Sequence, residues 1–210
     1  AGAGGGGAGG GARVGGGEGG WDGWGVSGGG RCLWWVPTAG VPGDRECYEH
    51  RWCAPGAGGV GLAGELAGQR GPFGTDLPFA ASDLPEFTFH VEICEDFWSA
   101  TPPSTMGALA GAAILCNLSA SNVVIGKAEE RALLCASQSV RCHAAYVYSA
   151  SGPGESTTDL AWDGQATIHE LGALLACSER FPKAGQMAVA DVDVERIRLE
   201  RMRTLTFNAA

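Results

Sequence analysis

Residues 87–119 constrain the fold more than any other stretch of the chain. They open with FTFHVEIC, in which Phe87, Phe89, Val91 and Ile93 alternate with Thr88, His90 and Glu92. A period of two over that length predicts a strand. The run TPPSTMGALAGAAILC comes next after a short turn. Thr101 can cap a helix there, Pro102 suits its first position, and Gly107, Ala108, Ala110 and Gly111 offer a flat face for close packing. ILCNLS then reads as a second, apolar strand. Strand, helix and strand at this spacing form a βαβ unit, which implies parallel pairing through a right-handed crossover.

The flanking segments extend that unit. KAEERALLCASQSVRCHA, residues 127–144, predicts a second helix, with Leu133, Leu134 and Val140 available for the core. AAYVYSAS predicts another strand, and ATIHE and ALLACSE flank Leu171-Gly172 as a hairpin. MAVADVD adds a further strand, and VERIRLERMR closes as a helix with Ile197 and Met202 on its apolar side. Upstream, RCLWWVP reads as a strand ended by Pro37, residues 37–60 are rich in turn formers, and a short strand is expected near Leu77–Ala80. The sum is a mixed α/β protein with a central sheet faced by helices.

Composition sets the outer limits. Of the 210 residues, the first stretch, 1–30, is mostly Gly and Ala. It has too few side chains to offset its backbone entropy and is expected to be disordered. It has neither the charged start nor the apolar core of a signal peptide. Residues 31–210, roughly 180 positions, suffice for one core. No run reaches the ~18 apolar residues of a membrane span. A net charge of −9 repels phosphate backbones, so neither membrane nor nucleic acid is an expected partner. Eight cysteines occur without a C-x-x-C pair. Several sit inside apolar runs, as reduced thiols of a cytoplasmic protein do, and no metal site is expected.

Chemistry is most readily placed at EICEDFW, residues 92–98. A cysteine at the carboxyl end of a buried strand, entering a turn before a helix, is where α/β sheets hold reactive groups. The amide that follows it, here that of Glu95, points to where an oxyanion would form. The bland alternative is a strand-end cysteine beside a solvated Glu-Asp pair.

PFGTDLPF, HVEICEDFW, PPS, NLSASN, GESTTDLAWDGQ, RFP and ADVD occur in this order at spacings that resemble the glutaminase domain of bacterial glutamine-dependent NAD synthetases. The resemblance runs from about Leu33 to Phe207. STTDLAWDGQ discriminates this group from a generic nitrilase-type amidase. The resemblance implies a nitrilase-superfamily, four-layer α-β-β-α sandwich, here lacking its first strand and helix. It also implies a carbon–nitrogen hydrolase that attacks glutamine through a Glu-Lys-Cys triad and a cysteine thioester, releasing ammonia for NAD synthesis. Cys94 matches the nucleophile. Glu46, in DRECYE, matches a supporting glutamate, or is an exposed loop carboxylate. Tyr48 matches the aromatic of that segment, or simply packs. Ser121 and Lys127, in SNVVIGK, fall where the family holds the glutamine α-carboxylate; for Lys127 the alternative is a solvated lysine at a helix start. GESTTDLAWDGQ, with Asp159, Trp162 and Asp163, reads as a functional loop, or as a bridge between strands.

Two departures bear on activity. The family's catalytic lysine aligns with Thr38, which brings no positive charge to an oxyanion. The base glutamate belongs to a strand and helix that should precede Leu33, where the Gly-rich run stands. Loss of one oxyanion contact typically costs ~10²–10³ in rate, and without the base the thiol stays near its ordinary pKa of about 8.5. An impaired enzyme is therefore expected, with a non-catalytic fragment or assembly module, or a different nitrilase-type amidase, as the alternatives. The hydrolase part needs no cofactor. ATP and magnesium belong to the synthetase domain that follows the Phe207 position in full-length relatives, which are homo-oligomers.

Overall fold

The computed structural model describes residues 63–66, 69–72, 77–81, 84, 86–155 and 160–210. The Gly-rich stretch and the strand expected at RCLWWVP lie outside the described residues. Six strands form one sheet whose spatial order equals their order in the chain: β3 (Phe79–Ala80), β4 (Thr88–Ile93), β5 (Ile114–Ser119), β6 (Ala145–Ala150), β7 (Ala166–Glu170) and β8 (Ala173–Cys177). β4, β5 and β6 are parallel, and β3, β7 and β8 pair antiparallel at the two sides. Among the described residues, the short strands β1 (Ala63–Leu66) and β2 (Gln69–Pro72) pair with each other. Helix α1 (Pro103–Leu109) crosses from β4 to β5, and α2 (Lys127–Arg141) crosses from β5 to β6. The expected βαβ unit is thus present and is followed by a second one. The Leu171-Gly172 hairpin also forms, with both residues at positive φ (47° and 89°) as a tight two-residue turn requires.

The start of α1 differs from expectation by one residue. Pro102, not Thr101, is the cap, and Pro103 is the first helical residue. The residue before a proline is pushed into extended backbone, so Pro103 forces Pro102 to ψ 150 and the helix cannot begin earlier. Ala110 and Gly111 fall past the helix end, but Gly107 acts as the sequence suggested. A Cβ there would lie 2.4 Å from His90 Cγ, so only glycine lets α1 come this close to β4.

The helix-covered face of the sheet combines an apolar cluster around Leu115 with many buried polar side chains. Against α1 and α2 lie His90 and Glu92 of β4, Asn117 and Ser119 of β5, Tyr146 and Tyr148 of β6, and Thr167 and His169 of β7, all buried. Phe89, Val91 and Ile93, with Cys116, Leu118 and Val147, point to the other face and are only half-buried. There Ile114 and Ala145 are covered by Ile197 of α3 (Val194–Arg203). Helix α2 matches the polar face. Its sheet-facing residues are Arg131, Cys135, Gln138 and Ser139, whereas Leu133, expected in the core, is 69% exposed and Val140 is 49% exposed. The polar side chains of α2 bond neighbouring segments: Arg131 donates to Asp163 and Gln165, Gln138 to Ser104 and Thr105, and Ser139 to the Ala144 carbonyl.

Two further expectations fail at the C-terminal end. MAVADVD forms no strand; Asp193 instead spends its amide on Glu170 Oε2 (2.8 Å) and its carboxylate on the amide of Arg196 (2.8 Å), capping α3. Met202 is exposed. Its neighbour Arg201 holds the helix in place by donating to the carbonyls of Ala112, Cys142 and His143 at the amino ends of β5 and β6. The terminal turn α4 (Leu205–Asn208) adds Phe207 to the core edge.

Candidate active site

Cys94 sits where β4 ends and a single 3₁₀ segment, Cys94–Trp98, begins. Its φ of 47° lies in the left-handed region, a conformation that non-glycine residues hold only when their surroundings impose it. The imposition is visible. Asp96 Oδ2 accepts the amide of Ile93 at 3.0 Å and closes the turn. Phe97 anchors it, its ring 5.3 Å from Tyr146, 5.8 Å from Tyr148 and 5.7 Å from Trp98. Cys94 remains half-buried, while the side chain of Glu95 is exposed.

The thiols separate by burial. Burial pushes Cys116 and Cys135 up to about 12 and raises Cys142 as well, so these stay protonated and inert at neutral pH. Among the described cysteines Cys135 and Cys142 are buried, Cys94 and Cys116 are half-buried and Cys177 is exposed; of the two half-buried thiols, Cys116 is the one that burial keeps protonated.

β5 delivers the next group of predicted residues to the same end of the sheet. Its register with β4 pairs Ile93 with Leu118, so Cys94 and the Ser119–Ser121 segment leave adjacent parallel strands together, at the carboxyl edge where open α/β sheets bind ligands. Ser121 is buried. Lys127, at the start of α2, donates to Asn122 Oδ1 at 2.9 Å and holds its ammonium 5.4 Å from the centre of the Trp98 ring. Cys94, Ser121 and Lys127 are therefore gathered on one side of the fold. Glu46, Tyr48 and Thr38 lie outside the described residues.

Two buried carboxylates were not singled out in the sequence. Glu92 accepts the amide of Ser104 at 2.8 Å and the hydroxyl of Tyr146. Burial raises its pKa, although these hydrogen bonds oppose the shift. Burial also takes Asp96 up to about 6, against the Ile93 amide and with the help of Glu92 and Glu95. Asp163, read as part of a functional loop, is instead a structural tie. It accepts from Arg131 Nη2 at 2.7 Å and Arg180 Nε at 3.0 Å. Burial pushes it up, but these guanidiniums and the Gln165 amide win and hold it below the usual carboxylate value. In the sequence Glu92 reads only as one of the polar residues that alternate along β4 with Thr88 and His90, two residues before Cys94.

Comparisons with known proteins follow this geometry. No family model matches the chain. Among solved structures, a glutamine-dependent NAD(+) synthetase from Cytophaga hutchinsonii superposes with a TM-score of 0.52 at 26% identity, covering 63% of this chain and 20% of that one. Nit3 of Saccharomyces cerevisiae, a nitrilase-superfamily member, gives 0.51 at 19% identity, covering 63% of this chain and 46% of that one. The fold is that of the nitrilase-superfamily carbon–nitrogen hydrolases.

Sequence narrows the class. The glutamine-dependent NAD(+) synthetase of Mycobacterium bovis is 58% identical over 179 residues, which is 85% of this chain and 26% of that enzyme. The chain is thus similar to part of the glutamine-dependent NAD(+) synthetases and spans about a quarter of the length of these curated relatives.

Proposed function

We propose that this chain carries the nucleophile side of a glutamine-hydrolysing carbon–nitrogen hydrolase site, whose ammonia feeds the synthetase portion of a cytoplasmic NAD synthetase. The observation that carries the reading is Cys94, held at positive φ on a strand–turn–helix at the carboxyl edge of parallel strands, in a segment 58% identical to such enzymes. The Cys94 thiolate attacks the side-chain amide carbon of glutamine. The oxyanion takes a hydrogen bond from the Glu95 amide, the nitrogen takes up the proton that the thiol gave up and leaves as ammonia as the C–N bond breaks, and water cleaves the thioester to glutamate and the free thiol. Ser121 and Lys127 hold the α-carboxylate of the substrate, Lys127 as a point charge rather than a two-toothed fork. Glu46 and Tyr48 complete the pocket from the upstream segment. This part of the reaction uses no cofactor.

Thr38 at the lysine position favours a second reading, a glutamine-binding module that turns over little. Ammonia release from glutamine separates the two, measured for the wild type, Cys94→Ala and Thr38→Lys. We expect turnover near background in the wild type and a rise in Thr38→Lys that Cys94→Ala abolishes. Robust Cys94-dependent turnover in the wild type would show that other groups supply the charge and the base, and would remove the second reading.

A further inference from the structure

The relation of Glu92 to the turn above it carries one more step, which rests on the reading of Cys94 as the nucleophile. Glu92 is 2% exposed and lies two residues before Cys94. Its Oε2 accepts the amide of Ser104 at 2.8 Å, in the first turn of α1. Residues 93–103 are therefore a loop closed at its base by one side chain. Its Oε1 accepts the hydroxyl of Tyr146, and the Tyr146 ring is one of those against which Phe97, inside that loop, packs. Ser104 is fixed in turn, because Gln138 of α2 donates to its Oγ at 3.0 Å and to Thr105 Oγ1 at 2.9 Å. We propose that Glu92 is a positioning residue for the Cys94 thiol, gripping the nucleophile turn at its far end through Ser104 and at its middle through Tyr146 and Phe97.

The chemistry of the grip explains why the residue is an acid. Ser104 N–H and Tyr146 O–H are both donors, and a carboxylate meets them with two acceptor oxygens, whereas a glutamine would turn an NH₂ group towards one of them. Among the described residues no ion pair includes Glu92. A buried carboxylate without a cation is unfavourable for stability, and such groups concentrate where function requires them. Glu92 touches neither substrate nor reacting atoms in this account; it acts through the conformation of Cys94.

Alkylation of the full chain by iodoacetamide, read for each cysteine by peptide mass spectrometry, tests the assignment without needing glutamine turnover. In Glu92→Ala we expect Cys94 to react about tenfold more slowly or worse, since small misplacements of a reacting group carry penalties of that size. Cys177 should keep its rate, and Cys135 and Cys142 should stay protected. Glu92→Gln, which retains the shape and one acceptor, should recover most of the rate, and Tyr146→Phe should fall between. An unchanged Cys94 rate with Cys135 and Cys142 still protected would overturn the assignment. So would a loss that comes only with exposure of those two thiols, because Glu92 would then be a general core residue. If Glu92→Ala does not fold, Glu92→Gln and Tyr146→Phe decide: wild-type Cys94 rates in both would reject the grip. A Thr38→Lys chain that releases no ammonia while Cys94 reactivity still depends on Glu92 would reject the glutaminase reading and leave the positioning role standing.

Discussion

Glu92 and Asp163 are both almost closed to solvent, at 2% and 1% exposure, yet their surroundings are opposite. Asp163 joins α2 to the segment after β8 through Arg131 and Arg180, so its charge is matched where it is buried. Among the described residues Glu92 is held by hydrogen-bond donors, the Ser104 amide and the Tyr146 hydroxyl among them, and by no ion pair, and its pKa rises where that of Asp163 falls. The difference separates a carboxylate that holds the fold together from one retained beside a reactive group. It also shows that burial alone does not mark a site. What distinguishes the region of Cys94 is a pair of buried acids, Glu92 and Asp96, around a strained turn, with no ion pair to either among the described residues.

Removing the matched carboxylate should have the largest effect. Asp163→Ala leaves Arg131 buried and uncompensated, and a broken buried pair typically destabilises by about 3–5 kcal/mol. Urea denaturation should show that loss, and replacing Arg131 with Met in the same chain should restore part of it. A loss of under ~1 kcal/mol would mean that water reaches Arg131, and the contrast with Glu92 would weaken.

The two regions should also respond to acid with opposite sign. Asp96 has its folded pKa raised to about 6 from 3.8, so the native state binds its proton first. Stability should therefore rise as pH falls from about 6 towards 4, on the order of 2 kcal/mol, and Asp96→Asn should remove that rise. Asp163, with its pKa lowered, contributes stability that is present above the ordinary carboxylate range and disappears as pH falls through its own value. Thermal melts between pH 7 and pH 2 would check both limbs. A monotonic loss from pH 7 downwards would contradict the placement of Asp96.

The smallest effect tests the reversed packing of α2. Leu133→Gln should change stability by no more than about 0.5 kcal/mol, because the leucine faces solvent. A loss of about 2–3 kcal/mol, the size expected of a buried leucine, would return it to the core and undo the account of the polar face.

Much of the fold was legible because alternation and turn chemistry are local. The strand from Thr88 to Ile93, the βαβ crossover, the Leu171-Gly172 hairpin and the helix at Val194–Arg203 all follow from short-range patterns. Which face is buried is not local. The sequence of α2 puts Leu133 and Val140 on one side and Arg131, Cys135 and Gln138 on another, and the distant partners Asp163, Gln165, Ser104 and Thr105 decide between them. Residues 187–193 alternate like a strand, but no neighbouring strand offers them a ladder, and Asp193 pairs with Glu170 instead. At the site, Cys94 was visible from its position at a strand end. Glu92 was not, because its importance lies in Ser104 and Tyr146, 12 and 54 residues away along the chain.

The central claim, that Cys94 is a nucleophile presented to a glutamine-shaped ligand, is tested most directly by a diazoketone analogue of glutamine. The thiol displaces nitrogen from such a reagent and keeps a mass tag. The account predicts a single adduct on Cys94, formed faster than any on the more exposed Cys177 and slowed by added glutamine. Labelling that follows exposure, with Cys177 ahead of Cys94 and no protection by glutamine, would contradict it.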